Sequence, residues 1–155
     1  MENYAELLET LTQQEKELQF TAFSSDTALT LGLKIVALAK AREKSITVNI
    51  TVNGKVLFHH AMQGASADQA DWIRRKNNVV ARFGRCSFYI GIDHKHRGVV
   101  FEDIKYLNPE DHAANGGAFP ITIRDTGIIG TVTVSGLRQA EDHALVIEAL
   151  RAVLA

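Results

Sequence analysis

The sequence predicts an α+β domain, a central antiparallel sheet with helices packed on its faces. Two stretches, 46–60 and 119–134, alternate apolar and polar residues around turn sequences, as hairpin strands do. The segments around them place apolar residues at helical spacing. Hairpins interrupted by helices also exclude the strand–helix–strand alternation of a doubly wound sheet. The 155 residues, 46% of them apolar, make one domain, 1–155, with one real core.

Tyr4, Leu7, Leu8, Leu11 and Leu18 mark 1–18 as an amphipathic helix whose stripe packs on the body or on another subunit. Residues 19–23 suit a short strand, and Ser24, Ser25 and Asp26 offer a helix cap. Residues 27–42 are apolar nearly all round, so that helix is expected to be buried on most sides. Gly32 in its middle costs helix stability and marks a close contact. Residues 46–60 form a hairpin around Asn53-Gly54, a type I′ turn. This loop pairs Val52 with Lys55, Ile50 with Leu57 and Val48 with His59. Both faces then carry large apolar groups, so the hairpin is expected to be covered on both sides, and a subunit contact is one way to do it.

Ser66-Ala67-Asp68-Gln69 matches a capping box, opening a helix to about Phe83 that buries Trp72, Val79, Val80 and Phe83. Cys86, Phe88, Ile90 and Ile92 alternate as an interior strand, and 93–98 reads as a polar loop. Residues 99–107 suggest a short helix. Asn108-Pro109-Glu110-Asp111 starts another, ended by Gly116 or Gly117. The last third holds a hairpin turning at Arg124-Asp125-Thr126-Gly127 and a closing helix. Leu137, Ala140, Ala144, Ile147 and Leu154 lie on one face of that helix, with Val146, Leu150 and Val153 beside them. Glu141 and Asp142 suit its positive start.

A net charge of −1, from 17 basic and 18 acidic residues, gives no drive toward nucleic acid or an anionic membrane. No apolar run reaches a membrane-spanning length, and the N-terminus lacks the features of a signal peptide. The single cysteine, Cys86, agrees with the cytoplasm. No Gly-x-Ser-x-Gly elbow, phosphate-binding loop or complete catalytic set is present.

Gly116-Gly117-Ala118-Phe119-Pro120-Ile121, Gly130–Leu137 as GTVTVSGL, Glu141-Asp142-His143 and Arg75-Lys76-Asn77 together resemble the GlcG/HbpS-like superfamily, the haem-degrading-domain group. The likeness runs over about 18–154 and is strongest to its branch of small stand-alone proteins. It implies a profilin- or PAS-like fold, a homodimer or larger ring, and haem or another small ligand. That branch commonly carries histidine before the double glycine, where this chain has Asn115.

Three constellations offer chemistry. The 111–117 loop sets two glycines beside His112 and Asn115, where backbone N–H groups can meet a ligand; the alternative is a capping turn. Arg75, Asn78, Arg82 and Arg85 share one side of their helix, a row for carboxylates or haem propionates or simply an ion-paired face. Lys76 lies off that row, and the resemblance singles it out. His94 and His96 share one side of an extended loop, a weak metal signal. His59 and His143 suit either an axial haem ligand or a hydrogen-bonded structural role. The expected site therefore comprises Lys76, Arg82, His112, Asn115, Gly116, Gly117 and His143, binding a small anionic or tetrapyrrole ligand with no metal centre of its own. The alternative is a non-catalytic assembly or adaptor module.

Overall fold

The computed structural model describes residues 3–155; positions 1 and 2 of the expected first helix lie outside them. The elements are α1 (Tyr4–Glu17), α2 (Ser25–Ala41), β1 (Thr47–Val52), β2 (Lys55–Ala61), α3 (Asp68–Phe83), α4 (Ser87–His96), β3 (Ala118–Ile123), β4 (Gly127–Ser135) and α5 (Gln139–Leu154). The strands form one antiparallel sheet in the order β2-β1-β4-β3, so the two hairpins join through β1 and β4. The fold is α+β.

The two faces of this sheet differ in kind. Val48, Ile50, Phe119, Ile121, Val132 and Val134 share one face and are buried with residues of α2 and α5 in the main core. Thr47, Asn49, Thr51, Thr131, Thr133 and Ser135 share the other, beneath α3. Hydrogen bonds tie α3 to that polar face: Thr133 Oγ1 donates to Asn77 Oδ1 (2.5 Å) and Thr47 Oγ1 to Gln69 Oε1 (2.9 Å). Buried hydroxyls of this kind are tolerable only when partnered.

Several local expectations hold. Ser24 caps α2 in a reciprocal box with Thr27. At Gly32 an added Cβ would lie 2.4 Å from the Phe58 ring, so the expected close contact is helix on sheet. The Asn53-Gly54 turn takes positive φ at both residues, as a type I′ turn requires.

Others are corrected. The 86–92 stretch is not a strand but the start of α4, which also takes in residues 93–96 of the expected 93–98 loop; Cys86 caps it, Sγ accepting from Tyr89 N. Helix α4 buries Ser87, Phe88, Ile90, Gly91, Ile92 and His94, almost all round, so its apolar spacing carries no clear period. A bulge after Ile50 shifts the first hairpin: Thr51 pairs with Val56, but Ile50 with Phe58 and Val48 with His60. Phe58 and His60 thereby share the apolar face with Ile50 and Val48. Strand β2 is a sheet edge with Val56 56% exposed, so within a single subunit one face of the hairpin stays partly open. Helix α2 likewise leaves Leu29 and Leu33 about half exposed.

Helix α3 starts at Asp68 with Ala67, not Ser66, at the cap position, so no side-chain cap bond forms, and Gln69 is engaged by Thr47. Trp72 and Phe83 are half-buried rather than buried. The expected helices at 99–107 and 108 reduce to one 3-10 turn, Phe101–Asp103, and a turn in which Asn108 Oδ1 accepts from Glu110 N. Residues 19–23 contribute one parallel bridge, Phe20 to Ile123. On α5, Ala140 and Ala144 face outward, while Asp142 and His143 are buried.

Candidate ligand-binding cleft at the double-glycine bend

The stripe that α3 buries is Ile73, Lys76, Val79 and Val80, which carries a lysine inward. Lys76, 2% exposed, donates from Nζ to Val134 O (2.7 Å), Gly116 O (3.1 Å) and Asp142 Oδ2 (3.4 Å). Asp142 Oδ1 accepts from Leu137 N (3.0 Å). One ammonium thus knots α3, the 116–117 bend, the end of β4 and the first turn of α5. Gly117 has φ +135°, and a Cβ there would lie 2.4 Å from Val134 O and 2.5 Å from Lys76 Nζ. Only glycine fits that position.

Burial sets the electrostatics of the knot. Desolvation raises the Asp142 pKa to about 6, partly opposed by the Lys76 charge, and lowers that of Lys76, partly opposed by Asp142. Above the knot opens a cleft of about 390 Å³, lined by Asp68, Trp72, Lys76, Asn115, Gly116 and Gln139 among others. Gln139 Oε1 accepts the Gly116 N–H (3.0 Å), and Asp68 accepts from Trp72 Nε1 (3.2 Å).

Of the expected site residues, Lys76, Asn115 and Gly116 meet in this cleft, with Gly117 packed against Lys76. Arg82 does not join them: it is exposed, its guanidinium 5.3 Å from the Tyr106 ring. His112 Nδ1 donates to Asn108 O (3.0 Å), outside the cleft lining. His143 is in the main core, with its ring 5.1 Å from Phe88 and 6.0 Å from Phe119. Desolvation lowers its pKa to about 4, so the neutral ring donates from Nε2 to Gln14 Oε1 (2.7 Å).

The basic row is occupied from within. Arg75 Nη2 donates to Pro109 O, Asn78 Nδ2 to Asp111 O, and Arg85 Nε to Glu15 Oε1. His94 and His96 ride on α4, where His94 Nδ1 donates to Ile90 O (2.8 Å). Among the described residues no three His, Cys, Asp or Glu side chains cluster as metal ligands. Burial pushes the Cys86 thiol far up, which leaves it inert.

Sequence reasoning missed Asp142, Gln139 and Trp72 as cleft residues. A signal for Asp142 was present: with Val146, Ala149 and Leu150 it lies on the stripe that α5 buries. A charged residue on such a stripe needs a buried partner, and Lys76 interrupts the α3 stripe in the same way.

The family model for "Haem degrading protein HbpS-like" matches residues 23–151. The chain belongs to the HbpS-like family. A UPF0303 protein of Streptomyces coelicolor is 44% identical over 140 residues, 90% of this chain and 89% of that one. A UPF0303 protein of Azotobacter vinelandii is 45% identical over 147 residues, 95% and 89% of the two chains. Among solved structures, Ybr137w is 32% identical with a TM-score of 0.87, covering 94% of this chain and 87% of that one. A PduOC–haem complex shares the fold at 19% identity and TM-score 0.71, covering 84% and 94%.

The residues of this cleft do not fit a haem. No imidazole lines it to serve as an axial ligand. The three protons of Lys76 are directed at acceptors of the chain itself, and the carboxylates of Asp68 and Asp142 face any propionate.

Proposed function

We propose that this HbpS-like chain binds a small polar molecule in the cleft over the Lys76–Asp142 knot and acts as a homo-oligomer, with the cytoplasm as its compartment. The observation that carries the reading is the chemistry of the lining. Its buried cation is already neutralised, and what remains is an indole wall, amides, and the carboxylate of Asp68 at the rim. Such a lining favours a ligand that brings hydrogen-bond donors, a hydroxylated or amine-bearing compound, over the anion or tetrapyrrole that the sequence suggested.

Trp72 is the chain's single tryptophan, so its fluorescence reports the cleft directly. Titration with ethanolamine should give a saturable change, weakened at least tenfold in Asp68→Asn, while acetate gives none. Saturable acetate binding would sink the reading. So would a stoichiometric Soret shift with haem that is lost in Asn115→Ala.

Self-association has its own support. Leu29 and Leu33 on α2 and Val56 on edge strand β2 are large apolar side chains left 49–56% exposed. The same three residues support the assembly-module reading. Among the described residues no helix is long and apolar enough to cross a membrane.

A further inference from the structure

A second cavity, of about 510 Å³, lies between the C-terminal half of α3 and the polar face of the sheet. Its lining includes the cross-strand pair Thr51 and Thr131, Asn77 and Ala81 of α3, and Ile128 and Ile129 of β4. No lining residue is charged, although 23% of the chain is Asp, Glu, Lys or Arg. Two polar groups on its walls are left over by the fold. Asn77 spends Oδ1 on Thr133, which leaves Nδ2 as a donor with no partner among the described residues. Thr131, only 7% exposed, has a hydroxyl with no partner among them either. Thr51, by contrast, gives its proton to Asn49 Oδ1 (2.7 Å).

We infer that this cavity is a second binding site, for an uncharged heterocyclic compound with a lactam-type edge. A carbonyl oxygen on the ligand accepts from Asn77 Nδ2, and its adjacent N–H donates to the Thr131 hydroxyl. The apolar remainder lies against Val80, Ala81, Ile128 and Ile129. Charged compounds are disfavoured because no lining residue supplies a counter-ion. The site is separate from the Lys76 cleft and shares no lining residue with it.

The test is methyl NMR on the full chain with labelled Ile and Val, using 2-quinolinone as probe and quinoline-2-carboxylate as its charged counterpart. With 2-quinolinone the Ile128, Ile129 and Val80 methyls should shift saturably, and the carboxylate should bind at least tenfold more weakly. Thr131→Val keeps the shape and removes the hydroxyl, so affinity should fall at least fivefold. Asn77→Asp keeps the acceptor for Thr133 but introduces charge, and should abolish binding. Absent shifts, equal binding of the carboxylate, or undiminished binding in both variants would overturn the inference. The same shifts appearing on raising protein concentration without probe would also overturn it, since a second copy would then fill the cavity.

Discussion

Lys76 Nζ lies 3.4 Å from Asp142 Oδ2, and neither side chain is more than 4% exposed. The pair closes the joint between the 116–117 bend and the first turn of α5. Removing one member leaves the other charge buried and alone. Asp142→Ala should therefore cost about 3–5 kcal/mol in denaturant unfolding. The double variant Lys76→Met/Asp142→Leu should recover part of that loss, because apolar replacements of similar volume relieve both desolvation penalties.

Acid should act on the fold through two buried groups of opposite sense. The His143 pKa lies near 4 in the fold against an ordinary 6.5, so the unfolded chain takes up that proton first. Its contribution is complete above pH 6.5 and is lost as pH falls toward 4, by on the order of 3 kcal/mol. Asp142, raised to about 6 from 3.8, holds a proton in the fold that the unfolded chain releases. Its contribution is complete below pH 3.8 and is lost as pH rises through 6. His143→Gln removes only the first trend. The stability gap between this variant and the parent should narrow from pH 7 to pH 4.5 in urea melts.

Gly32→Ala tests the contact between α2 and the sheet. Helix propensity alone would favour alanine by about 1 kcal/mol. The Phe58 ring occupies the space that the new methyl needs, 2.4 Å away. Overpacking should win, with a net loss of about 1–3 kcal/mol by thermal or urea unfolding. In a Phe58→Ala background the same substitution should turn neutral or stabilising.

Leu33→Lys places a charge on the exposed apolar face of α2 and should leave the fold unchanged by circular dichroism. If α2 and β2 form the subunit contact, light scattering should show the mass falling toward 17.1 kDa. An unchanged larger mass would place the contact elsewhere.

The hairpins were legible because turn chemistry and period 2 agree there, as around Asn53-Gly54, and α5 because its apolar residues recur at helical spacing. Helix α4 was not, because an element buried on most sides carries no period, and Cys86, Phe88, Ile90 and Ile92 alternate by chance of spacing. The bulge beyond Ile50 was equally hidden: Leu57 and Phe58 are both apolar, so nothing in the pattern fixes which one faces the core. At the site, the meeting of Lys76 with the double glycine was expected on resemblance, and the structure brings them together. Arg82 was grouped with the site by charge and resemblance, and within this chain the geometry of α3 turns it toward Tyr106 instead. Asp142 escaped as a site residue because its place in the first turn of α5 already had a sufficient explanation in the helix dipole.

The outer margin of β3 is guarded at both levels of backbone chemistry. Pro120 has no N–H to offer there, and Phe20 takes the Thr122 carbonyl and the Arg124 N–H. Strand addition is therefore confined to the opposite margin, along β2. A sheet that can accept a neighbour on one side only joins once and stops, so growth by this route ends at a closed pair rather than a fibre.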